Sequence, residues 1–230
     1  MPVTLEPARD VHARVLAHLL ARIAATAVCD EPFTHAYFEE LLPADVFAAL
    51  LAHLPPADRY GIGPRDAYGN TSARTFYNLT AEGVRGFPAG CREVWRGVAA
   101  ALTDPELKRA LYGKLAPDLI RRFGVGEADV PELAGHPRPT LYRDAEGFEI
   151  PPHPDTLKKV VTMHLFLPPD LSQLGLGTAL YRRIAGPVAR GDWSGFERVK
   201  QFAFRPNSGY AFVVSDGPSR QSWHGRERLP

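Results

Sequence analysis

With 27 Lys and Arg against 26 Asp and Glu, the 230-residue chain is close to neutral. It therefore lacks the basic field that nucleic acid or an anionic membrane surface would recruit. A hydrophobic share of 45% over that length suffices to bury one sizeable core without disulfides or a structural metal. The two cysteines, Cys29 and Cys91, have no Cys or His at zinc-site spacing, so they read as small core residues in a reducing compartment. The N-terminus has no basic flank leading into an apolar signal core, and no apolar run approaches the length of a membrane span. The expectation is a cytoplasmic protein with no membrane or nucleic-acid partner.

In chain order, residues 7–27 predict a helix, because Val11, Val15, Leu16, Leu19, Leu20, Ile23 and Ala24 recur at three- and four-residue intervals. A short strand and turn around Pro32-Phe33-Thr34 and Phe38 leads into a second helix over 43–54. Residues 57–72 read as a loop, whose Gly61-x-Gly63 lacks the flanking strand, helix and acidic residue of a dinucleotide site. A strand over 73–79 and helices over 89–102 and 104–123 follow, and the helices are expected to form a layer outside a sheet. From about residue 138 the pattern changes to strands and turns. Strands are expected at 140–143, 159–167, 177–181, 200–204 and 210–215, with 148–150 a short approach to His153 and Ser222 to Gly225 on or beside the last strand. The run over 159–167 is β-branched and apolar on both faces, which predicts a central strand. Short strands at this spacing predict a sandwich or jelly roll and not a βαβ sheet.

The chemistry concentrates in His153-Pro154-Asp155 and in Ser222-Trp223-His224-Gly225. Residues i and i+2 of an extended segment point the same way, so His153 and Asp155 can face one ion, and the intervening Pro154 stiffens the pair. His224 can add a third ligand from a distant strand. Two imidazoles and one carboxylate form a facial triad that leaves open positions on Fe(II). The bland alternative is a surface turn in which Asp155 caps the next segment. His164 reads as a satisfied core histidine and Trp223 as a wall of the core. Arg74 and Tyr77, with the 57–72 loop, are placed to shape a substrate pocket.

The order of these features is informative: Tyr142-Arg143, His153-x-Asp155, the long apolar strand, Gly177-Thr178-Ala179-Leu180-Tyr181, Pro206-Asn207-x-Gly209 and Trp223-His224-Gly225. In that order they resemble the 2-oxoglutarate/Fe(II)-dependent oxygenases, most closely the prolyl-hydroxylase-like branch. The resemblance covers about 138–228, with about 1–137 as mainly helical support with edge strands in a single domain of 1–230. It implies an α+β fold with a double-stranded β-helix (jelly-roll) core and an N-terminal helical layer on the major sheet. It also implies Fe(II) held by His153, Asp155 and His224, 2-oxoglutarate and O2 as co-substrates, and ascorbate as an optional reductant. The implied reaction hydroxylates a small molecule, a free amino acid or a peptide side chain and releases succinate and CO2. Related halogenases replace the carboxylate ligand with a small residue, so Asp155 argues for hydroxylation or another oxidation over halogenation.

One departure from the family concerns the basic anchor for the far carboxylate of 2-oxoglutarate, which usually lies further beyond the distal histidine. Only six residues follow His224, and Arg226 and Arg228 are the post-histidine candidates, expected to share a face. Otherwise the anchor comes from another strand, with Arg143, Lys158 and Lys159 as substitutes, or lies on residues beyond these. Arginine is favoured, because it pairs a carboxylate bidentately. Tyr142 and Thr162 are candidate hydroxyl donors to the co-substrate. Two other readings stay open: a cupin-like metal enzyme that does not use 2-oxoglutarate, and a catalytically inactive jelly-roll binding protein. No pattern in the sequence specifies an oligomeric state.

Overall fold

Helix α1 (Ala8–Ala25) buries Val11, Val15, Leu19 and Ile23, one residue per turn along a single stripe. The structure, a computed structural model, describes residues 7–62, 73–184, 191–215, 217 and 220–230. Along the chain come β1 (Val28–Cys29), β2 (His35–Phe38), α2 (Ala44–Ala52), β3 (Gly61–Ile62), β4 (Arg74–Asn78), α3 (Ala81–Arg85) and α4 (Ala89–Leu102). Then come α5 (Pro105–Lys114), α6 (Ala116–Phe123), β5 (Thr140–Asp144), β6 (Ile150–His153), β7 (Val161–Phe166), β8 (Ala179–Arg183), β9 (Phe196–Gln201), β10 (Ser208–Val213) and β11 (His224–Arg226). Within the expected 57–72 loop, residues 63–72 lie outside the described residues. No helix among the described residues is long and apolar enough to cross a membrane.

The architecture is mixed α+β with antiparallel sheets. Two sheets have four strands each, in the orders β1-β2-β10-β7 and β6-β11-β8-β9, and a third joins β3-β4-β5. Alternation along the strands divides the first sheet into two faces. Ala36, Phe38, Ala211 and Val213, with Val161, Met163 and Leu165, pack against the helices. Tyr210, Phe212 and Phe166 point the other way and meet Leu180 of β8, together with Phe33 and Phe202. The helical layer expected from sequence therefore covers one face of this sheet, and the second sheet faces the other.

Three elements depart from the sequence-based expectation for physical reasons. The helix expected over 104–123 is two helices broken at Leu115 (φ −105°, ψ 17°), because Pro117 lacks an N–H and its ring crowds the preceding turn. Strand β7 lies at the edge of its four-stranded sheet and not at the centre. Val161, Met163 and Leu165 face the helices, and Thr162, His164 and Phe166 face the second sheet, so β7 is covered on both sides without being central. Strand β9 ends at Gln201, because Phe202 and Phe204 pair their amides with the carbonyls of Thr178 and Leu174. Cys91 is buried as expected, whereas Cys29 is exposed.

Helices α1 and α4 approach closely at Gly97. A Cβ there would lie 2.6 Å from Val11 Cβ and Cγ1 and 2.7 Å from the Ala8 carbonyl oxygen. Gly97→Ala is expected to destabilise the protein by about 1–3 kcal/mol, as overpacking of a filled core does. Urea unfolding checks this, with a lowered midpoint and an unchanged slope as the expected result.

Candidate metal centre

His153 ends β6 and His224 begins β11, and the two are register partners in the antiparallel pair. Strand β6 is the edge of its sheet, which is where Pro151 and Pro152, lacking N–H donors, are tolerated. Gly225 lets the strands close up, since a Cβ there would come 2.7 Å from the Ile150 carbonyl oxygen. The imidazole centroids of His153 and His224 are 4.4 Å apart. Asp155, two residues past His153, brings Oδ2 to 3.7 Å from His224 Nε2. One ligand atom from each of the three residues lies within 4.8 Å of the others, a spacing that one ion can span.

The hydrogen bonds around the triad fix its protonation. Nδ1 of His153 lies 2.9 Å from the Pro151 carbonyl oxygen, and Nδ1 of His224 lies 2.9 Å from that of Ser222. A carbonyl only accepts, so each neutral ring carries its proton on Nδ1 and its lone pair on Nε2, the tautomer a metal ligand needs. Burial holds both imidazoles below the usual histidine range, reinforced at His224 by His153. Burial alone would raise the Asp155 carboxyl. The Lys159 ammonium and hydrogen bonds from Lys159 and Thr162 oppose it, and the group is held below the ordinary carboxylate range. Two neutral imidazoles beside one carboxylate is the donor set that divalent first-row metals accept.

Two donors orient the carboxylate. Lys159 Nζ donates to Oδ1 at 2.5 Å and Thr162 Oγ1 donates to Oδ2 at 2.6 Å. Thr162 was expected to bind a co-substrate, but in the structure its hydroxyl is committed to Asp155. Thr162→Val, which keeps the shape and removes the donor, is expected to weaken metal binding about 10- to 100-fold, the usual cost of losing an outer hydrogen bond to a ligand. Thr162→Ser is expected to restore most of it. Co(II) titration of the three proteins checks the pair.

Beyond the triad, the interior stays polar along one face of β7. His164, two residues past Thr162, places Nδ1 2.9 Å from the Tyr210 hydroxyl, which also donates to Thr178 Oγ1 at 3.0 Å. Burial, aided by the charge of Arg74, pushes the His164 pKa down to about 3, so this imidazole is neutral. Arg226, 9% exposed, lies over the Phe204 ring and reaches Asp144 Oδ2 at 3.5 Å. Asp144 is already paired bidentately with Arg74, at 2.6 and 2.8 Å. One carboxylate thus serves two guanidinium groups, and Arg226 Nε is buried with no partner. A buried orphan donor costs about 1–3 kcal/mol, so this atom marks a place for an acceptor.

The other candidates fall elsewhere. Arg228 is exposed beside Glu146 and Gly147. The expected alternation with Arg226 fails because β11 ends at Arg226 and its register shifts after His224. Tyr142 (55% exposed) and Arg143 stand on β5, which pairs with β4 in the small sheet and presents both side chains to solvent. Lys158 is exposed. Tyr77 supports the fold by donating its hydroxyl hydrogen to the Gly83 carbonyl, and Trp223 packs on Phe196. Tyr210 and Asp144 carry no sequence signal of their importance, since their roles arise from cross-strand partners. The chain matches no family model, no curated protein and no solved structure.

Proposed function

We propose that the protein is a 2-oxoglutarate-dependent Fe(II) dioxygenase that hydroxylates a small molecule, a free amino acid or a peptide side chain. The observation that carries the reading is the pairing of a His-Asp-His triad with a buried arginine two residues beyond the distal histidine. The two four-stranded antiparallel sheets that share a core support the finer reading of a double-stranded β-helix. Fe(II) suits the donor set, and the resemblance in motif order favours it over other divalent ions.

In this account His153 and His224 bind the metal through Nε2, and Asp155 supplies the charge, oriented by Thr162 and Lys159. When bound, the iron and 2-oxoglutarate together supply oxygen activation, with the co-substrate leaving as succinate and CO2. Arg226 holds the far carboxylate of 2-oxoglutarate, and its orphan Nε becomes a donor in a charge-assisted bond. Tyr210 and Thr178 extend the hydrogen-bonding wall, and Phe166 and Phe204 keep water from the far end. The near-neutral charge supports a substrate other than nucleic acid, and the absence of a membrane-length helix among the described residues is consistent with a cytoplasmic protein.

Succinate release on incubation with Fe(II), 2-oxoglutarate and individual free amino acids tests the reading. Substrate-stimulated succinate that needs both iron and 2-oxoglutarate is the expected result. Turnover that persists with 2-oxoglutarate omitted would replace it with a cupin-like reaction. Failure of the protein to bind 2-oxoglutarate in the presence of iron would leave a binding scaffold.

A further inference from the structure

Two of the three proposed metal ligands adjoin chain segments that cross between the sheets. Asp155 lies on the crossing from β6 to β7, and His224 is reached by the crossing from β10 to β11. Asp155 lies outside the ladders, whereas His224 is held by its pairing with His153 and Leu180, so the separation of the two needs a further restraint on the Asp155 side.

We propose that Arg122, in the last turn of α6, is a positioning residue for the metal centre, a role that rests on the metal reading above. Its guanidinium joins the two crossings. Nη2 donates to the Leu157 carbonyl at 2.8 Å and Nη1 to that of Lys159 at 2.8 Å, with the Val160 carbonyl sharing an Nη1 proton at 3.2 Å. These carbonyls lie between Asp155 and the Thr162 that orients it. Nη1 also donates to the Val214 carbonyl at 2.5 Å, at the start of the other crossing.

From Val214 the connection continues to the histidine. Ser215 and Ser222 bridge that crossing, with Ser222 N donating to the Ser215 carbonyl at 3.0 Å and Ser215 N to Ser222 Oγ at 3.0 Å. The Ser222 carbonyl then accepts the Nδ1 proton of His224. One planar cation therefore restrains both arms of the triad through their backbones. A lysine, with one nitrogen, reaches fewer of the four carbonyls at the same charge. A second contact from the same helix points the same way. Asp118, 5% exposed, faces Arg220 at 3.7 Å, on the segment leading into Ser222. Gly124, at φ +65°, ends the helix just past Arg122.

Co(II) titration of parent, Arg122→Ala and Arg122→Lys tests the role, read as both affinity and the visible cobalt spectrum. The measurement is made where circular dichroism shows each protein fully folded. Arg122→Ala is expected to bind Co(II) about 10- to 100-fold more weakly, with an altered spectrum, and Arg122→Lys to fall between. Gly97→Ala, destabilised at a site remote from the metal, is expected to keep the parent affinity and spectrum, which separates positioning from general loss of stability. An Arg122→Ala protein that folds and binds Co(II) as the parent does would overturn the proposal. If Arg122→Ala does not fold, parent-like affinity and spectrum in Arg122→Lys would overturn it instead. A parent protein that binds no Co(II) would refute the metal centre itself, a result distinct from either.

Discussion

His224→Ala is expected to reduce divalent-metal affinity by more than about 100-fold, exceeding the loss that follows removal of an outer hydrogen bond to a ligand. In the proposed centre His224 would supply one of three protein ligands, and burial holds it as a neutral imidazole with its lone pair on Nε2. No described residue outside the triad belongs to a cluster of His, Cys, Asp or Glu that could replace it. The ring also fills space against Phe212, with centroids 4.8 Å apart, so its removal leaves a cavity and lowers the metal-free melting temperature. The diagnostic quantity is therefore the shift on adding metal. A ligand that binds only the folded state stabilises it by about 2.7 kcal/mol at a hundred times its dissociation constant. Thermal melts with and without metal should show this gain for the parent and lose it for His224→Ala. An equal gain in both proteins would place the metal elsewhere.

Arg226→Met should have the second largest effect, and it separates function from stability. The parent guanidinium is buried, shares Asp144 with Arg74 and has an orphan Nε. Replacing it with an apolar side chain removes that desolvation cost while Asp144 keeps its bidentate partner. The stability of the ligand-free protein is therefore expected to be unchanged or to rise, as for other buried charges exchanged for well-packed apolar groups. Affinity for 2-oxoglutarate should fall about 30- to 1000-fold, corresponding to about 2–4 kcal/mol for a buried charge-assisted pair that loses one partner. Metal affinity without 2-oxoglutarate should change little. Isothermal titration with 2-oxoglutarate on metal-loaded protein checks the first effect and thermal melts check the second. Undiminished 2-oxoglutarate affinity would assign the anchor to another residue, with Arg74 the nearest alternative.

The grouping of His153, Asp155 and His224 was legible because its information is local: His153 and Asp155 share a direction through simple alternation, and His224 lies in a distinctive short motif. The helical layer was legible for a similar reason, since Val11, Val15, Leu19 and Ile23 recur with the helical period. The surroundings of the triad were not. Asp144 reads as the start of a turn, and only its cross-strand pairing with Arg74 and its contact with the buried Arg226 show that it neutralises two guanidinium groups. Thr162 reads as a strand residue free to meet a ligand, whereas the fold turns it back onto Asp155. Arg226 and Arg228 look equivalent in sequence, but the end of β11 buries one and exposes the other. The β7 segment reads as apolar on both faces, whereas Thr162 and His164 make one face polar, and the run gave no information on its position in the sheet. Such pairings depend on long-range register, which a single sequence encodes only weakly.

The most direct test of the central claim is an anaerobic absorption titration of the Fe(II)-loaded protein with 2-oxoglutarate. Chelation of the iron by the keto acid should produce a visible charge-transfer band that requires both components and saturates near one equivalent. The same band should be absent from His224→Ala and should need far higher 2-oxoglutarate in Arg226→Met. No band in the parent, or a band that persists unchanged in His224→Ala, would contradict the account.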